Sequence, residues 1–245
     1  MGSDNNPDQP NIWIPESILP GYRDFISHFY AECWKTSQLV LRALALGLGL
    51  SDESFLLSLH DEKENELSFR HYPSIHESKV KSGEMDRLGA HTDFDSFTLL
   101  WQDSYGGLTV KDPNTKQWIH ALPIEGALVM NIGDVLARWS NGRDVLVRHV
   151  NNLSRLMLCI LDYLISTVHK VYLPPMEQSY QHTGLERMTR PRYSIPYFVV
   201  PRHDTLMECL ETCHDEDKPK KYTPMLFSDL YAERIRGFFP DKDMD

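Results

Sequence analysis

A histidine and an aspartate, His91 and Asp93, stand two positions apart just before a run of residues with strand character. On an extended backbone this spacing places both side chains on one face, where an imidazole and a carboxylate can share one cation. A solvated turn can carry the same two residues, so the pair alone is weak evidence. It identifies a candidate metal site whose remaining ligands must come from elsewhere in the chain.

A second histidine supplies the missing ligand type. His169 lies within residues 164–171, which are rich in β-branched side chains and have strand character. An isolated histidine in a strand more often has a structural role. Together with His91 and Asp93 on a facing strand, however, it would complete a set of two imidazoles and one carboxylate. That facial set binds non-haem iron(II) and leaves three coordination positions open.

The spacing of two recurs at Arg192 and Ser194, where the last strand-like run begins. Both side chains share one face of a strand, and a guanidinium beside a hydroxyl suits a bidentate contact to a carboxylate. Judged alone, Arg192 is also compatible with an exposed residue at the start of a strand. The order of the three motifs along the chain, first His-x-Asp, then a strand histidine, then Arg-x-Ser, is what favours a single site.

These side chains need a scaffold of short strands, and the sequence predicts one. Apolar residues recur with helical spacing from Tyr22 to about Gly47, and a shorter helix is expected to end near Leu59. A last helix is predicted over residues 230–239. Strand-like runs separated by turn signals lie at residues 67–72, 97–101, 107–110, 117–121, 127–132, 164–172 and 193–200. Many short strands with turns between them favour a sandwich, a jelly roll or a barrel.

Composition and charge restrict the class of partner. The chain has 245 residues, a formal net charge of −10 and 41% hydrophobic residues. The negative charge argues against nucleic acid and against an anionic membrane surface, because both select a basic face. The polar first residues and the short apolar stretches predict neither a leader nor a membrane span, so a cytoplasmic protein is expected. Cys209, Cys213 and His214 would form only half of a zinc site, and reduced thiols are the preferred interpretation.

Taken in order, the motifs resemble the isopenicillin N synthase-like family of iron(II)/2-oxoglutarate-dependent dioxygenases. The similarity extends from about Asp52 to Phe239. It is strongest in the segments 91–93, 106–110, 131–134, 140–142, 169–171 and 192–198. The resemblance implies a mainly β fold with flanking helices, whose core is a double-stranded β-helix, also called a jelly roll.

The resemblance also implies a chemistry. His91, Asp93 and His169 would hold iron(II), and Arg192 with Ser194 would bind the distal carboxylate of 2-oxoglutarate. The expected reaction couples the oxidative decarboxylation of 2-oxoglutarate by O2 to the hydroxylation, desaturation or ring closure of a small molecule, with secondary metabolites as the suggested class. The protein would supply geometry and a dry pocket, with no catalytic side chain beyond the metal ligands.

Further side chains are expected around the co-substrate and the substrate. Tyr72 matches a family tyrosine that adds a hydroxyl to the co-substrate site, although the asparagine that often stands two positions earlier is Arg70 in this chain. Phe94, Trp101 and Phe198 are candidates for the wall of an apolar substrate pocket. Core packing is the alternative role, and we expect it for at least two of these three residues.

Two departures from the family pattern bear on the domain organisation. Family members usually carry a further N-terminal portion, so residues 1–60 are expected to be a helical lead-in in which part of the family domain is truncated and a sheet edge is open. Residues 61–245 are expected to form the dioxygenase domain. Within it, residues 144–163 are an insertion, which is interpreted either as a retained intron or as a helical insert that loops outward.

The insertion brings a rival metal ligand, His149, whose distance from Asp93 along the chain is nearer the family's interval. Its flanking residues 145–150 are sufficiently β-branched to form a strand. His169 is preferred because residues 166–171 match the family residue by residue and lie closer to Arg192 in the chain.

Two alternative functions are compatible with the same sequence. One is an iron oxidase or cyclase that does not use 2-oxoglutarate, as isopenicillin N synthase itself does not. The other is a truncated family member that does not catalyse and at most binds a metal or a partner. The short N-terminal portion and the insertion beside a ligand strand motivate this second alternative.

Overall fold

The structure, a computed structural model, describes residues 1–2, 10–142, 157–159, 164–181 and 187–238. Its helices are α1 (Tyr22–Gly47), α2 (Phe55–Ser58), α3 (Glu77–Lys81), α4 (Asp134–Trp139) and α5 (Phe227–Phe238). Its strands are β1 (Glu66–Leu67), β2 (Arg70–Tyr72), β3 (Leu88–His91), β4 (Phe97–Gln102), β5 (Leu108–Lys111), β6 (Trp118–His120), β7 (Leu128–Ile132), β8 (Met157–Cys159), β9 (His169–Val171), β10 (Arg192–Val199), β11 (Leu206–Met207) and β12 (Met225–Leu226).

Two sheets build the core. The major sheet has the strand order β1-β10-β4-β7-β8, with β2 also paired to β10, and the minor sheet has the order β3-β9-β5-β6. Strands β11 and β12 form a separate pair. All described pairs are antiparallel except β7 with β8. This arrangement of two largely antiparallel sheets with helices at their periphery confirms the predicted mainly β, double-stranded β-helix fold.

Helix α1 covers one face of the major sheet. Its buried stripe includes Ile26, Tyr30 and Leu41, in the spacing that the sequence predicts. The ring of Tyr30 packs edge-on against Tyr197 of β10 at 5.2 Å between centroids, and Tyr197 is fully buried. Such an aromatic pair adds about 0.5–1.5 kcal/mol to the burial of apolar area, so this contact fixes the helix on the sheet. The helix ends at Gly47, as predicted.

Several boundaries differ from the prediction. Strand β9 is limited to His169–Val171, so residues 164–168 of the predicted strand have irregular backbone. Helix α5 begins at Phe227, before the predicted start at residue 230. Helices α3 and α4 were not predicted, because each has at most six residues and is too short to show a clear helical period.

The insertion is described only at residues 157–159. These residues form β8, which pairs in parallel with Leu128–Ile132. At these three positions the expectation of a helix that loops outward is therefore wrong. Pairing with β7 satisfies backbone groups that the edge of the major sheet would otherwise present to solvent. The rest of the insertion, including His149, lies outside the described residues.

Two further expectations concern membranes and zinc. Among the described residues, no helix combines the length and the apolar character that a bilayer span requires. Cys33, Cys209 and Cys213 are buried free thiols. Within the part of the chain that the structure describes, neither Cys209 nor Cys213 belongs to a cluster of three or more potential metal ligands.

Candidate active site

Three potential ligands converge where the minor sheet meets the turn into β4. His91 is the last residue of β3, and it pairs directly with His169, the first residue of β9. Asp93 follows in the turn. Its Oδ1 lies 3.7 Å from Nε2 of His91 and 3.7 Å from Nε2 of His169. One ligand atom from each of the three residues lies within 4.8 Å of the others, so a single ion can contact all three.

Backbone carbonyls fix the orientation of both imidazoles. Nδ1 of His91 lies 2.8 Å from the carbonyl oxygen of Gly89, and Nδ1 of His169 lies 3.0 Å from that of Thr167. Because a carbonyl oxygen only accepts, each Nδ1 carries the proton and each Nε2 presents a lone pair. Burial, reinforced by the charge of His169, lowers the pKa of His91 and favours the neutral ring that a metal requires.

The carboxylate of Asp93 is held from its other oxygen. Oδ2 accepts hydrogen bonds from Oγ1 of Thr98 at 2.6 Å and from Nδ2 of Asn131 at 2.7 Å. Thr98 and Asn131 face each other on β4 and β7 of the major sheet. These two donors leave Oδ1 available for a metal. Sequence reasoning did not assign them this role, although each is a polar residue that interrupts an apolar strand.

The turn after Asp93 rests on the start of α4. The backbone N–H of Asp134 donates to the carbonyl oxygen of Asp93 at 2.8 Å, and that of Val135 donates to Asp95 at 3.1 Å. A Cβ at Gly133 would overlap the carbonyl and carboxylate oxygens of Asp95, so this close approach requires glycine. Burial, together with the charge of Asp93, raises the pKa of Asp95.

An arginine lies on the face of the major sheet that looks toward this site. Arg192 is 1% exposed. Its Nε donates to the carbonyl oxygen of Gly106 at 3.0 Å, and its Nη1 donates to Oγ of Ser194 at 2.9 Å. Nη2 lies 3.4 Å from Oε1 of Gln102, and the guanidinium carbon lies 4.9 Å from the centre of the Tyr72 ring. Strand pairing explains the grouping, because Arg192 is directly opposite Tyr72 and Ser194 is opposite Gln102.

Arg192 forms no ion pair with a carboxylate of the described residues, although the charge of Asp103 acts on it from a greater distance. Among the described residues, no carboxylate oxygen lies within 4.0 Å of its nitrogens, and burial lowers its pKa. An isolated buried cation is costly unless an anion neutralises it. The guanidinium, with the neighbouring hydroxyls of Ser194 and Tyr72, therefore suits the carboxylate of a ligand.

Two cavities open beside these groups. One, of about 330 Å³, is lined by Asp93 together with Phe94 and Phe198. A larger one, of about 820 Å³, is lined by Tyr72 and by the segment that leads into β3. Trp101 lines neither cavity.

The position of Trp101 corrects one of the three predicted substrate contacts. Trp101 pairs with Ile195, whereas the next residue of β4 pairs with Ser194, so Trp101 lies on the opposite face of the sheet from Arg192 and Ser194. Its ring packs edge-on against Phe29 of α1 at 5.1 Å. Trp101 is therefore part of the core between helix and sheet.

The donor chemistry fits the groups that the sequence implies. Two neutral imidazoles and one carboxylate oxygen form the facial donor set suited to iron(II), and each ligand is oriented through its second polar atom. A buried guanidinium without a carboxylate partner fits an acidic co-substrate such as 2-oxoglutarate.

Comparisons with known proteins identify relatives of this chain. The chain is 36% identical over 214 residues to the 2-oxoglutarate-Fe(II) type oxidoreductase ppzD of Metarhizium majus, a match that covers 86% of the chain and 53% of that protein. It is 33% identical over 227 residues to the proline hydroxylase buaE of Petromyces alliaceus, covering 91% of the chain and 61% of that protein. The chain thus spans less than two thirds of the length of these relatives.

A solved structure shows the same fold. A full-length Neurospora crassa protein, crystallised in complex with alpha-KG and thymine, matches with a TM-score of 0.78 and 34% identity, over 97% of this chain and 63% of that chain. The family model described as the 2OG-Fe(II) oxygenase superfamily matches residues 26–154, slightly more than half of the chain. That match includes His91 and Asp93. The chain therefore belongs to the 2OG-Fe(II) oxygenase superfamily.

Proposed function

We propose that this protein is an iron(II)- and 2-oxoglutarate-dependent dioxygenase that oxidises a small molecule. The observation that carries the proposal is the convergence of three free ligand atoms, Nε2 of His91, Oδ1 of Asp93 and Nε2 of His169, within 4.8 Å of one another. Bound iron(II) would supply the dioxygen chemistry that couples the decarboxylation of 2-oxoglutarate to hydroxylation, desaturation or ring closure of the substrate.

The proposed task of the chain at the metal is to hold three ligands on one side. His91 and His169 present their Nε2 atoms because Gly89 and Thr167 occupy Nδ1. Asp93 presents one oxygen because two donors hold the other. Three positions would stay available for co-substrate and dioxygen, since the protein ligands come from the end of β3, the turn after it and the start of β9.

The proposed task of the major sheet is to bind the distal carboxylate of 2-oxoglutarate. Arg192 would donate to it from a guanidinium already oriented by the Gly106 carbonyl, and Ser194 would donate its hydroxyl. Tyr72, whose ring lies beneath the guanidinium, would add a third donor. Burial excludes water from this contact and so strengthens it.

Phe94 and Phe198 are proposed to contact the substrate, because both line the 330 Å³ cavity that includes Asp93. The relatives offer two substrate chemistries: an amino acid, from the name of buaE, and a neutral base, from the thymine bound to the Neurospora crassa protein. We further propose that residues 61–245 form the dioxygenase domain, with residues 1–60 as a helical lead-in.

Spectroscopy and product analysis test the proposal together. Anaerobic addition of 2-oxoglutarate to the iron(II)-loaded chain should produce a metal-to-ligand charge-transfer band, and exposure to O2 should yield succinate only when both iron(II) and 2-oxoglutarate are present. A chain that binds iron but gives no such band would instead be an iron oxidase that does not use the co-substrate. A chain that binds no iron would contradict the proposal entirely.

A further inference from the structure

Arg70 occupies a position from which it can contact a ligand at the proposed active site. It pairs with Ser194 across β2 and β10, just as Tyr72 pairs with Arg192. Directly paired residues of antiparallel strands project to the same face, so Arg70 shares the face of Arg192 and Ser194. The intervening pair, His71 and Tyr193, projects to the other face, where the two rings stack at 4.8 Å.

Both cavities reach Arg70. It lines the 330 Å³ cavity together with Asp93, and it lines the 820 Å³ cavity together with Tyr72. Arg70 is exposed, at the edge of the major sheet. It is therefore an exposed residue that both cavities share.

No carboxylate forms an ion pair with Arg70. Among the described residues, none lies within 4.0 Å of its nitrogens, although Glu64, Glu66 and Asp93 line the smaller cavity with it. Its guanidinium therefore gives a local positive potential that is free to form a charge-assisted contact with a ligand carboxylate.

The larger cavity reinforces this positive potential. Arg87, which also lines it, donates to the carbonyl oxygens of Pro73 and Tyr72 at 2.5 and 3.3 Å, so its charge is oriented but not neutralised. Its Nε is buried without a partner in the described part of the chain. Lys79 adds a third cation, which is paired with Glu84 at 3.4 Å.

Apolar side chains form much of the remaining wall. The larger cavity is also lined by Phe69, Ile75, Met85, Leu88 and Met188. A volume of about 820 Å³ lies within the usual range for small-molecule sites, roughly 300–1,000 Å³. This combination of a free guanidinium and an apolar wall selects an organic acid over a fully hydrophilic anion or a neutral base.

We propose that the substrate is a small organic acid with an apolar body, whose carboxylate binds Arg70 where both cavities reach it. The apolar body would extend along the larger cavity, and the reacting end would lie in the smaller cavity with Asp93, Phe94 and Phe198. This inference rests on the proposed function, because it places the ligand beside the proposed iron site. Arg192 would hold the carboxylate of the co-substrate and Arg70 that of the substrate, on one face of the same pair of strands. Arg70 is accordingly a specificity-determining residue.

Matched acids and carboxamides test the proposal. The full chain is loaded anaerobically with iron(II) and 2-oxoglutarate, and binding is measured by calorimetry for L-proline and L-prolinamide, for larger apolar acids with their own carboxamides, and for thymine. We expect acids to bind more tightly than their amides. In R70Q this preference should fall about ten- to a hundredfold, as expected for a lost charge-assisted contact. R70K should retain part of it.

A control on α3 removes the same charge elsewhere. Lys81 pairs with Glu77 and lines neither cavity, so K81Q should keep the full preference for acids. Equal binding of acids and amides by the wild type, preferential binding of thymine, or no binding of any acid would overturn the inference. So would a loss of 2-oxoglutarate binding in R70Q, because Arg70 would then belong to the co-substrate site.

Failure of the proposed function has a different signature. If no charge-transfer band forms, the assignment of iron and 2-oxoglutarate is wrong, regardless of how tightly the acids bind. The comparison of acids and amides is then repeated with the metal-free chain, where an acid preference that R70Q removes would still support the site at Arg70. Absence of that preference would contradict it.

Discussion

The two halves of the proposed active site are built in different ways. The co-substrate half comes from one strand pair, β10 with β2, in which the register itself sets Arg192, Ser194 and Tyr72 side by side. The metal half takes its ligands from β3, from a turn and from β9, and the segment between Asp93 and His169 contains β5 and β6 of the minor sheet and β4, β7 and β8 of the major sheet. Local strand geometry places Arg192 and Ser194 on one face and the pairing of β2 with β10 adds Tyr72, whereas the metal half requires contact between both sheets.

Their polar support also differs. At the metal half, His91 and His169 are each oriented by a carbonyl oxygen two residues earlier in the chain, whereas Asp93 is held by side chains of the facing major sheet. Arg192 donates to Ser194 on its own strand and to the distant carbonyl of Gly106. Of the three metal ligands, Asp93 should therefore be the most sensitive to changes elsewhere in the fold.

Removal of a ligand should have the largest effect. H91A, D93A and H169A should each abolish the charge-transfer band and iron-dependent succinate formation, because two protein ligands are too few to hold iron(II) facially. The iron content of each variant measures the loss of metal binding, and the succinate yield measures the loss of turnover. H149A is the matched control for the choice of third ligand. Loss of activity in H149A with retention in H169A would reverse that choice.

Substitution of Arg192 should separate the two halves. R192L removes about two charge-assisted hydrogen bonds of 1.5–3 kcal/mol each, so the KM for 2-oxoglutarate should rise at least about a hundredfold. Iron(II) affinity should change little, since Arg192 does not contact the triad. The KM of R192K for 2-oxoglutarate should lie between those of the wild type and R192L, because lysine keeps the charge but not the bidentate geometry. A parallel loss of iron affinity would show that the halves are coupled.

The buried imidazole of His60 should make the metal half sensitive to pH through stability. His60 is 6% exposed, with Nδ1 2.7 Å from the Leu56 carbonyl oxygen and Nε2 2.8 Å from Oγ of Ser96, in the turn that follows the ligands. Burial lowers the pKa of His60 to about 4. The unfolded chain therefore binds a proton near pH 6.5 that the folded chain does not bind until about pH 4.

The free energy of unfolding should fall by about 3 kcal/mol as the pH is lowered from 6.5 to 4, and this contribution should then level off. Urea unfolding of the wild type and H60Q across this range measures it, with the steeper pH dependence expected for the wild type. Parallel pH profiles would contradict the assignment.

The smallest effect is expected from the residues that orient Asp93. N131A and T98V each remove one donor to Oδ2, and loss of such support typically lowers metal affinity about ten- to a hundredfold. Q102A is the matched control on the other half, because Gln102 contacts Arg192 and should alter 2-oxoglutarate binding alone. Equal effects of N131A and Q102A on iron affinity would remove the distinction between the halves.

Much of this site could be predicted because its motifs are periodic. Arg192 and Ser194 lie two apart on a strand, and so their shared face follows from the pleat alone. The apolar stripe of α1 likewise predicts its buried face and its end at Gly47. The order of the motifs and the resemblance to a known family together identified the fold, which the two sheets confirm.

Other features escaped prediction because distant residues decide them. Trp101 has the same apolar character as Phe198, yet the β4–β10 register turns it toward α1 and away from the cavity. The supporting roles of Thr98 and Asn131 depend on the contact between two sheets. For the same reason, three residues of the insertion join the major sheet instead of forming a helix.

The sequence by itself determined the types and the order of the functional groups, since His-x-Asp, a strand histidine and Arg-x-Ser are local patterns whose shared faces follow from a period of two. Only the tertiary structure decided that Asn131 holds one oxygen of Asp93 and leaves the other free, and that Arg192 and Arg70 have no carboxylate partner among the described residues. The reason is physical. A side chain's free atoms and net electrostatic environment depend on contacts between residues far apart in the chain, which no local period encodes.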